Sequence, residues 1–116
     1  MIPANFDISY YRGDTYVFYI NAKDNEGNDL DLSAYTPSFV IANYRGPDQG
    51  GSNPRVAYTA TASISGSRIT CTISPTTGAN LTAGPYVYDV QVTNGSANVY
   101  TYLTGTISVT LDVSGA

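Results

Sequence analysis

Short runs in which apolar and polar residues alternate recur along nearly the whole chain, and this period of two is what most constrains its fold. A strand directs successive side chains to opposite faces, so the alternation predicts a sheet with one face buried. Turn-forming residues separate the runs at intervals typical of an all-β domain. The pattern predicts eight strands, at residues 6–10, 16–22, 38–45, 56–64, 68–74, 86–92, 99–103 and 107–113.

Composition points to the same fold class. The chain has 14 Thr, 11 Tyr, 9 Val and 8 Ile, which suit strands, but five Leu and single Glu and Lys residues. Its 116 residues are enough for one domain, spanning 1–116. We predict one antiparallel β-sandwich of about 7–8 strands, immunoglobulin-like, with more than about 40% strand. The only helix predicted is a short turn near 75–81, with Ser74 as N-cap and Pro75 in the first turn.

Several functional classes are excluded or disfavoured by residues that the chain lacks. It has no His, which excludes His-based catalytic triads and His-containing zinc sites. Its single cysteine, Cys71, can form neither an intrachain disulfide nor a cysteine metal cluster. It lies between Ile69 and Ile73 in an alternating run, so we predict a buried, unreactive thiol. The net charge of −4 opposes nucleic-acid binding, and no apolar run is long enough to span a membrane.

The remaining charged and turn motifs have structural explanations. An acidic segment at 24–31 has oxygen ligands but not the EF-hand order, so we favour a solvated turn over a metal site. Arg12-Gly13-Asp14 is expected to form a kink where the chain passes between sheets. Ser65-Gly66-Ser67 predicts a tight hairpin turn between 56–64 and 68–74, and Asn94-Gly95 predicts a hairpin turn with both residues at positive φ. Asp89 has no visible acid–base partner and is expected to pair with an arginine or cap a loop. We expect no catalytic residues and no cofactor.

The tyrosines are the candidate partner-binding residues. Tyrosine is rigid and amphipathic and is enriched at protein interfaces. Several tyrosines fall opposite the main apolar stripes, and strand 38–45 is apolar on both faces. One face can meet the core while the other needs cover, and the adjoining loop 46–54 is expected to be mobile or ordered by a partner. We predict that a partner subunit supplies this cover and that its anchors are Tyr44, Tyr100 and Tyr102.

Two longer segments resemble small immunoglobulin-like β-sandwich proteins of tailed bacteriophages. The first runs from Tyr11-Arg12-Gly13-Asp14-Thr15 through the turn at 24–28 to residues 29–36. The second runs from 69–74 through Leu81-Thr82-Ala83-Gly84-Pro85-Tyr86-Val87-Tyr88-Asp89-Val90 to the closing strand. The resemblance extends over about residues 10–113 and is similar to the N-terminal domain of baseplate upper proteins and to virion accessory proteins.

This resemblance implies a structural protein without enzymatic activity. It would dock to other virion proteins, in multiple symmetric copies, within the tail, baseplate or neck. The first residues lack the basic and apolar regions of a secretory signal, so we expect synthesis in the host cytoplasm and residence in the virion. A capsid decoration protein is the alternative within this class. A carbohydrate-binding module is the alternative from another class, because exposed tyrosines can stack on sugar rings.

Overall fold

The computed structural model describes residues 4–23 and 26–111, and this part of the chain is 55% strand with one helix. The all-β prediction is therefore confirmed. The strands and the helix, in chain order, are β1 (Ala4–Asn5), β2 (Ile8–Tyr11), β3 (Tyr16–Asn21), β4 (Thr36–Ala42), β5 (Ala57–Ser65), β6 (Arg68–Ile73), α1 (Pro75–Ala79), β7 (Gly84–Thr93) and β8 (Val99–Thr110).

The eight strands form one curled sheet in the order β1-β8-β7-β4-β5-β6-β3, with β2 also paired to β8. The curl passes through β5, whose first part (57–60) pairs with β4 and whose second part (61–65) pairs with β6. The prediction of an antiparallel sheet holds for all pairings except those of β1 and β2, which run parallel to β8. No tight hairpin joins these first strands to the last one, so no turn dictates an antiparallel direction.

Predicted strand boundaries were wrong at three places. The predicted strand 38–45 is β4, which begins at Thr36 and ends at Ala42, and the other two differences have linked reasons. The predicted strands at 99–103 and 107–113 belong to one strand, β8, which runs through Gly105 as far as Thr110; residues 112 and 113 lie outside the described residues. A Cβ on Gly105 would lie 2.1 Å from the carbonyl oxygen of Phe6, so this glycine permits a close approach of chains. The predicted strand 6–10 begins only at Ile8, because Phe6 and Asp7 lie in the break between β1 and β2. The Asp7 carboxylate accepts hydrogen bonds from the amide and hydroxyl of Thr106.

The core lies inside the curl and is rich in aromatic rings. Phe18 of β3 meets Phe39 of β4 and Tyr88 of β7 at ring-centroid distances of 5.4 and 6.2 Å. Phe39 and Tyr88 are also in edge contact, at 5.7 Å. Such tilted contacts add about 0.5–1.5 kcal/mol each beyond the area they bury. Cys71 is fully buried in the same core, as predicted.

Three predicted turn and cap features are confirmed by the structure, and a fourth is corrected. The helix begins after Ser74, whose hydroxyl accepts from the amide of Thr77, and Gly13 at the kink has a φ of 88°. Gly66, at φ 62°, opens the tight β5–β6 turn. The predicted hairpin at Asn94-Gly95 is present, but the prediction that both residues have positive φ was wrong. The positive φ belongs to Ala97, because the Asn94 side chain holds a wider turn by accepting from the amides at 96 and 98.

Candidate functional site

Tyr44 lies just beyond the end of β4, where its hydroxyl ties the following loop together. The hydroxyl accepts from the amide of Gln49 at 2.9 Å and donates to the carbonyl of Asn53 at 2.8 Å. The ring is half-buried. The Tyr44 side chain therefore links two parts of the loop 46–54. Any partner that contacts Tyr44 would also contact this loop.

Further side chains fix the same loop at its base. Asn43 donates to the carbonyl of Pro54 and accepts from the amide of Val56. The Asp48 carboxylate accepts from the amides of Gly50 and Arg55 at 2.7 and 3.0 Å, and these bonds hold the pKa of Asp48 below its usual value. The Gly/Pro-rich composition suggested a loop that is mobile or ordered by a partner. The structure shows that the chain supplies internal bonds of its own.

A groove of about 310 Å³ lies beside this loop, across the outer face of β4 and β7. We call it the outer groove. Its floor is formed by strand residues and its rim by two arginines and the start of the loop; the lining residues are Ser38, Val40, Ala42, Arg45, Gly46, Arg55, Val87, Tyr88, Asp89 and Gln91.

An ion pair crosses the outer groove. The guanidinium of Arg45 donates to the Asp89 carboxylate at 2.8 Å and to the carbonyl of Gly105 at 3.2 Å. Asp89 also accepts from the hydroxyl of Thr104 at 2.7 Å. The prediction that Asp89 pairs with an arginine is confirmed. Both charged groups are partly exposed, so the pair can exchange its bonds for those of a polar partner at small cost.

The outer face of β4 is partly covered by the protein itself. Ala42 is only 2% exposed, and Val40 is half-buried in the floor of the outer groove, where Arg45 and Arg55 form the rim. The sequence predicted an apolar face that needs a partner for cover. The structure instead places a mixed floor there, part valine and alanine and part serine and glutamine.

Tyr100 and Tyr102 form a separate group with Tyr35, which we call the tyrosine cluster. Tyr35 and Tyr100 are stacked, with centroids 6.4 Å apart. Burial raises the pKa of Tyr102, and the neighbouring phenols of Tyr35 and Tyr100 add to the increase. Of these three tyrosines, Tyr100 is exposed, at 37%, and Tyr35 and Tyr102 are half-buried.

A bulge turns these tyrosines toward the core face. The β7–β8 register shifts between Val90 and Gln91, so that Tyr100 pairs with the fully buried Val92, and directly paired residues share a face. Tyr102, the residue skipped in the pairing, packs partly against the core. The sequence placed both tyrosines opposite the apolar stripe, because simple alternation cannot reveal a bulge.

The three predicted anchors therefore do not form one surface. Tyr44 follows the last residue of β4, whereas Tyr35, in the tyrosine cluster, precedes its first. A strand of seven residues separates the two groups by roughly 20 Å. Sequence reasoning missed Tyr35 and the two groove arginines, since their proximity to the anchors depends on pairing between distant strands.

The charged motifs that were predicted to have structural roles form hydrogen bonds and ion pairs within the protein. Arg12 donates to the carbonyls of Leu81 and Ala79, which ties the kink to the end of α1. In the acidic segment, Asp29 pairs with Lys23, and Asp31 accepts from the amide of Ser33, which lowers the pKa of Asp31; Asp24 lies outside the described residues. No group of three metal-binding side chains occurs within 4–23 and 26–111, and none of the helices described could cross a membrane.

Comparison with protein families and with curated protein sequences adds no relative. Neither a protein-family model nor a curated protein sequence matches this chain. Its residues and their geometry are thus the basis for any functional argument.

Proposed function

We propose that this chain is a structural protein of a bacteriophage virion, without enzymatic activity, that serves as a docking module of the tail, baseplate or neck. The observation that carries the proposal is the internally bonded loop 46–54 beside the outer groove. A surface already held in its bound shape loses less conformational entropy on association. Such a preorganised surface suits repeated docking to other virion proteins in symmetric copies.

The surroundings of Cys71, which is buried, and of Asp89, which is partly exposed, support a role other than catalysis. Burial raises the pKa of the Cys71 thiol to about 12, which suppresses the thiolate that a nucleophile needs. The Asp89 carboxylate is engaged by Arg45 and Thr104. Neither group is arranged as an activated nucleophile or a general base.

The proposal includes an immunoglobulin-like sandwich as the finer description of the fold. The hydroxyl of Tyr86, near the start of β7, accepts from the amide of Thr82 at 3.0 Å, as in the tyrosine corner of such domains. Two residues later, Tyr88 meets Phe18 of β3 and Phe39 of β4. Immunoglobulin domains place a disulfide and a tryptophan in that region. We infer that three aromatic rings replace them here, in keeping with synthesis in a host cytoplasm.

Particle incorporation of tyrosine variants tests the docking role. Tyr44→Ala removes the hydrogen bonds that the Tyr44 hydroxyl makes to the loop 46–54, and so tests the surface formed by this loop and the outer groove. Tyr102→Ala removes part of the tyrosine cluster, and so tests the surface at the other end of β4. We expect at least tenfold weaker incorporation, because loss of an interface anchor costs about 2 kcal/mol or more. Quantitative blotting of purified particles assembled with each variant is the measurement.

Tyr11→Ala is the matched control, since Tyr11 is 58% exposed on β2, outside both surfaces. Each variant must retain a cooperative melt. Normal incorporation of both test variants would show that neither end docks. Immunogold labelling of heads rather than tails would favour the capsid decoration alternative.

A carbohydrate-binding module is the second candidate, favoured by one observation. Tyr19 is 59% exposed in a shallow groove that is lined by polar side chains, among them Asn21 and Thr70, and by the charged side chains Lys23, Asp29 and Arg68. Glycan-array binding that Tyr19→Ala abolishes, without any association with particles, would support this candidate over docking.

A further inference from the structure

The two edges of the curled sheet are built differently. At one edge, β1 and β2 have two and four residues, and the break between them carries the exposed carboxylate of Asp7. Short strands, breaks and charges are the usual protection of an edge against pairing with another chain. At the other edge lies β3, which pairs only with β6 among the described residues.

The β3 edge lacks this protection. Its sequence, Tyr-Val-Phe-Tyr-Ile-Asn, contains no charge, no proline and no glycine across six consecutive residues. No described backbone group outside β6 hydrogen-bonds to these six residues. A regular, uncharged strand with one free row of amides and carbonyls is a template for a further strand.

The apolar face of the sheet is also left incomplete at β3. The inward residues Tyr16, Phe18 and Ile20 are half-buried, whereas the β6 residues paired with them are fully buried. On the outward face of β3, Val17 and Tyr19 are 44% and 59% exposed. Apolar surface thus remains open on both faces of this edge.

From these observations we propose that a second copy of this chain adds its own β3 antiparallel to β3, which joins the two sheets across a two-fold axis. The surface lies at the opposite end of the strand order from β8 and is separate from the outer groove, so the inference goes beyond the docking role.

Self-complementarity identifies the occupant. With Phe18 opposite Phe18 of the second copy, Val17 faces Tyr19 of that copy and Tyr16 faces Ile20. Each of these pairs joins apolar or aromatic residues that share a face, and aromatic–β-branched pairs are among the favourable cross-strand contacts. Shifting the register by two residues instead sets Asn21 against Val17.

Charge favours the same contact. The chain has a net charge of −4, so most approaches between two copies meet repulsion. The six residues of β3 include no carboxylate, and the guanidinium of Arg68 lies 5.1 Å from the Tyr19 ring on the outward face. In the pairing proposed here, no carboxylate of one β3 strand is therefore set directly opposite a carboxylate of the other.

Sedimentation velocity over a range of protein concentrations tests the proposal. We expect a monomer–dimer equilibrium in the wild type and at least tenfold weaker association for Val17→Lys, which places a charge on the edge. Val56→Lys is the matched control, because Val56 is similarly exposed at 41% but lies outside β3; its association should equal that of the wild type. A far-UV spectrum and a thermal melt check the fold of each variant.

Oxidative cross-linking tests the pairing itself. A mixture of Val17→Cys and Tyr19→Cys chains should form a disulfide between the two variants, whereas Val56→Cys chains should not form one with either. A wild type that stays monomeric up to about millimolar concentration would overturn the proposal, as would equal weakening by both lysine variants or absence of the mixed disulfide. These outcomes are independent of particle incorporation, so either proposal can fail alone.

Discussion

At the scale of single residues, the interior depends on neutral groups that titrate at high pH. Burial raises the pKa of the Cys71 thiol to about 12, and it also raises the pKa of the Tyr10 and Tyr88 phenols. These groups contact the same core and must stay uncharged to remain there. Ionisation of these three groups therefore makes the stability of the fold sensitive to alkaline pH rather than to mild acid.

Cys71 should be unreactive in the native protein. Its side chain is fully buried and its thiolate is disfavoured, so we expect a thiol reagent to label it only after denaturation. The measurement is absorbance-monitored labelling with and without urea. Rapid labelling of the native protein would mean that β6 opens easily or directs Cys71 outward.

Stability should fall as the pH rises through the alkaline range. An unfolded cysteine titrates near pH 8.5 and an unfolded tyrosine near pH 10. Because the folded-state pKa values are raised, the stabilisation is fully present below those values and is lost as the pH rises toward about 12. Melting temperatures from pH 7 to 11 measure this loss.

A cysteine variant separates the thiol from the phenols in that experiment. Cys71→Ala should melt below the wild type at pH 7, because packing is lost, but the difference should shrink above about pH 9. Thr72→Ala, at the neighbouring non-ionisable residue, should keep a constant difference from the wild type. A Cys71→Ala difference that does not change with pH would show that the thiol does not contribute to the alkaline loss.

At the scale of elements, the short helix α1 is held by its contact with β2. Gly78 is buried there, and a Cβ on it would lie 1.7 Å from the Tyr10 hydroxyl oxygen. That hydroxyl donates to the carbonyl of Asp14 at 2.6 Å, so it cannot move away freely. Arg12, from the same connection, bonds to the carbonyls at 79 and 81 that follow.

Gly78→Ala should therefore destabilise the protein. Alanine is favoured over glycine in helices by about 1 kcal/mol, but overpacking typically costs about 1–3 kcal/mol. Given the closeness of the contact, we expect the steric cost to exceed the helix gain. Thr76→Ala, at an exposed position of the same helix, is the control and should change stability little. Urea denaturation measures both variants; a stabilised Gly78→Ala would show that β2 can yield at Tyr10.

At the scale of the whole molecule, β5 links the two parts of the sheet. One continuous strand pairs with β4 at 57–60 and with β6 at 61–65. The aromatic contacts of Phe18 in β3 with Phe39 in β4 and Tyr88 in β7 also join the two parts of the sheet across the core. Neither part can lose its strands without exposing the shared core.

We therefore expect a single cooperative unfolding transition. Far-UV circular dichroism, which follows the strands, and near-UV tyrosine signals, which follow the packed rings, should give coincident melting curves. Two separated transitions would show that β3 and β6 unfold independently of the rest, and would contradict the prediction of one domain.

The sequence by itself determined the features that depend on neighbours along the chain. Alternation identified the strand regions, Ser74 and Pro75 the start of α1, Gly66 a hairpin turn and Cys71 a buried position. These succeed because side-chain direction in a strand, and the capping of a helix, follow from residues only a few positions apart.

Only the tertiary structure decided which distant residues meet. Gly105 lies within a strand, where its missing side chain leaves room for the Phe6 carbonyl, and a bulge turns Tyr100 and Tyr102 toward the core face. Tyr44 is engaged with its own loop, roughly 20 Å from the other two predicted anchors. Strand pairing is a contact between segments far apart in sequence, and its register depends on the packing of the whole sheet, which no local pattern encodes.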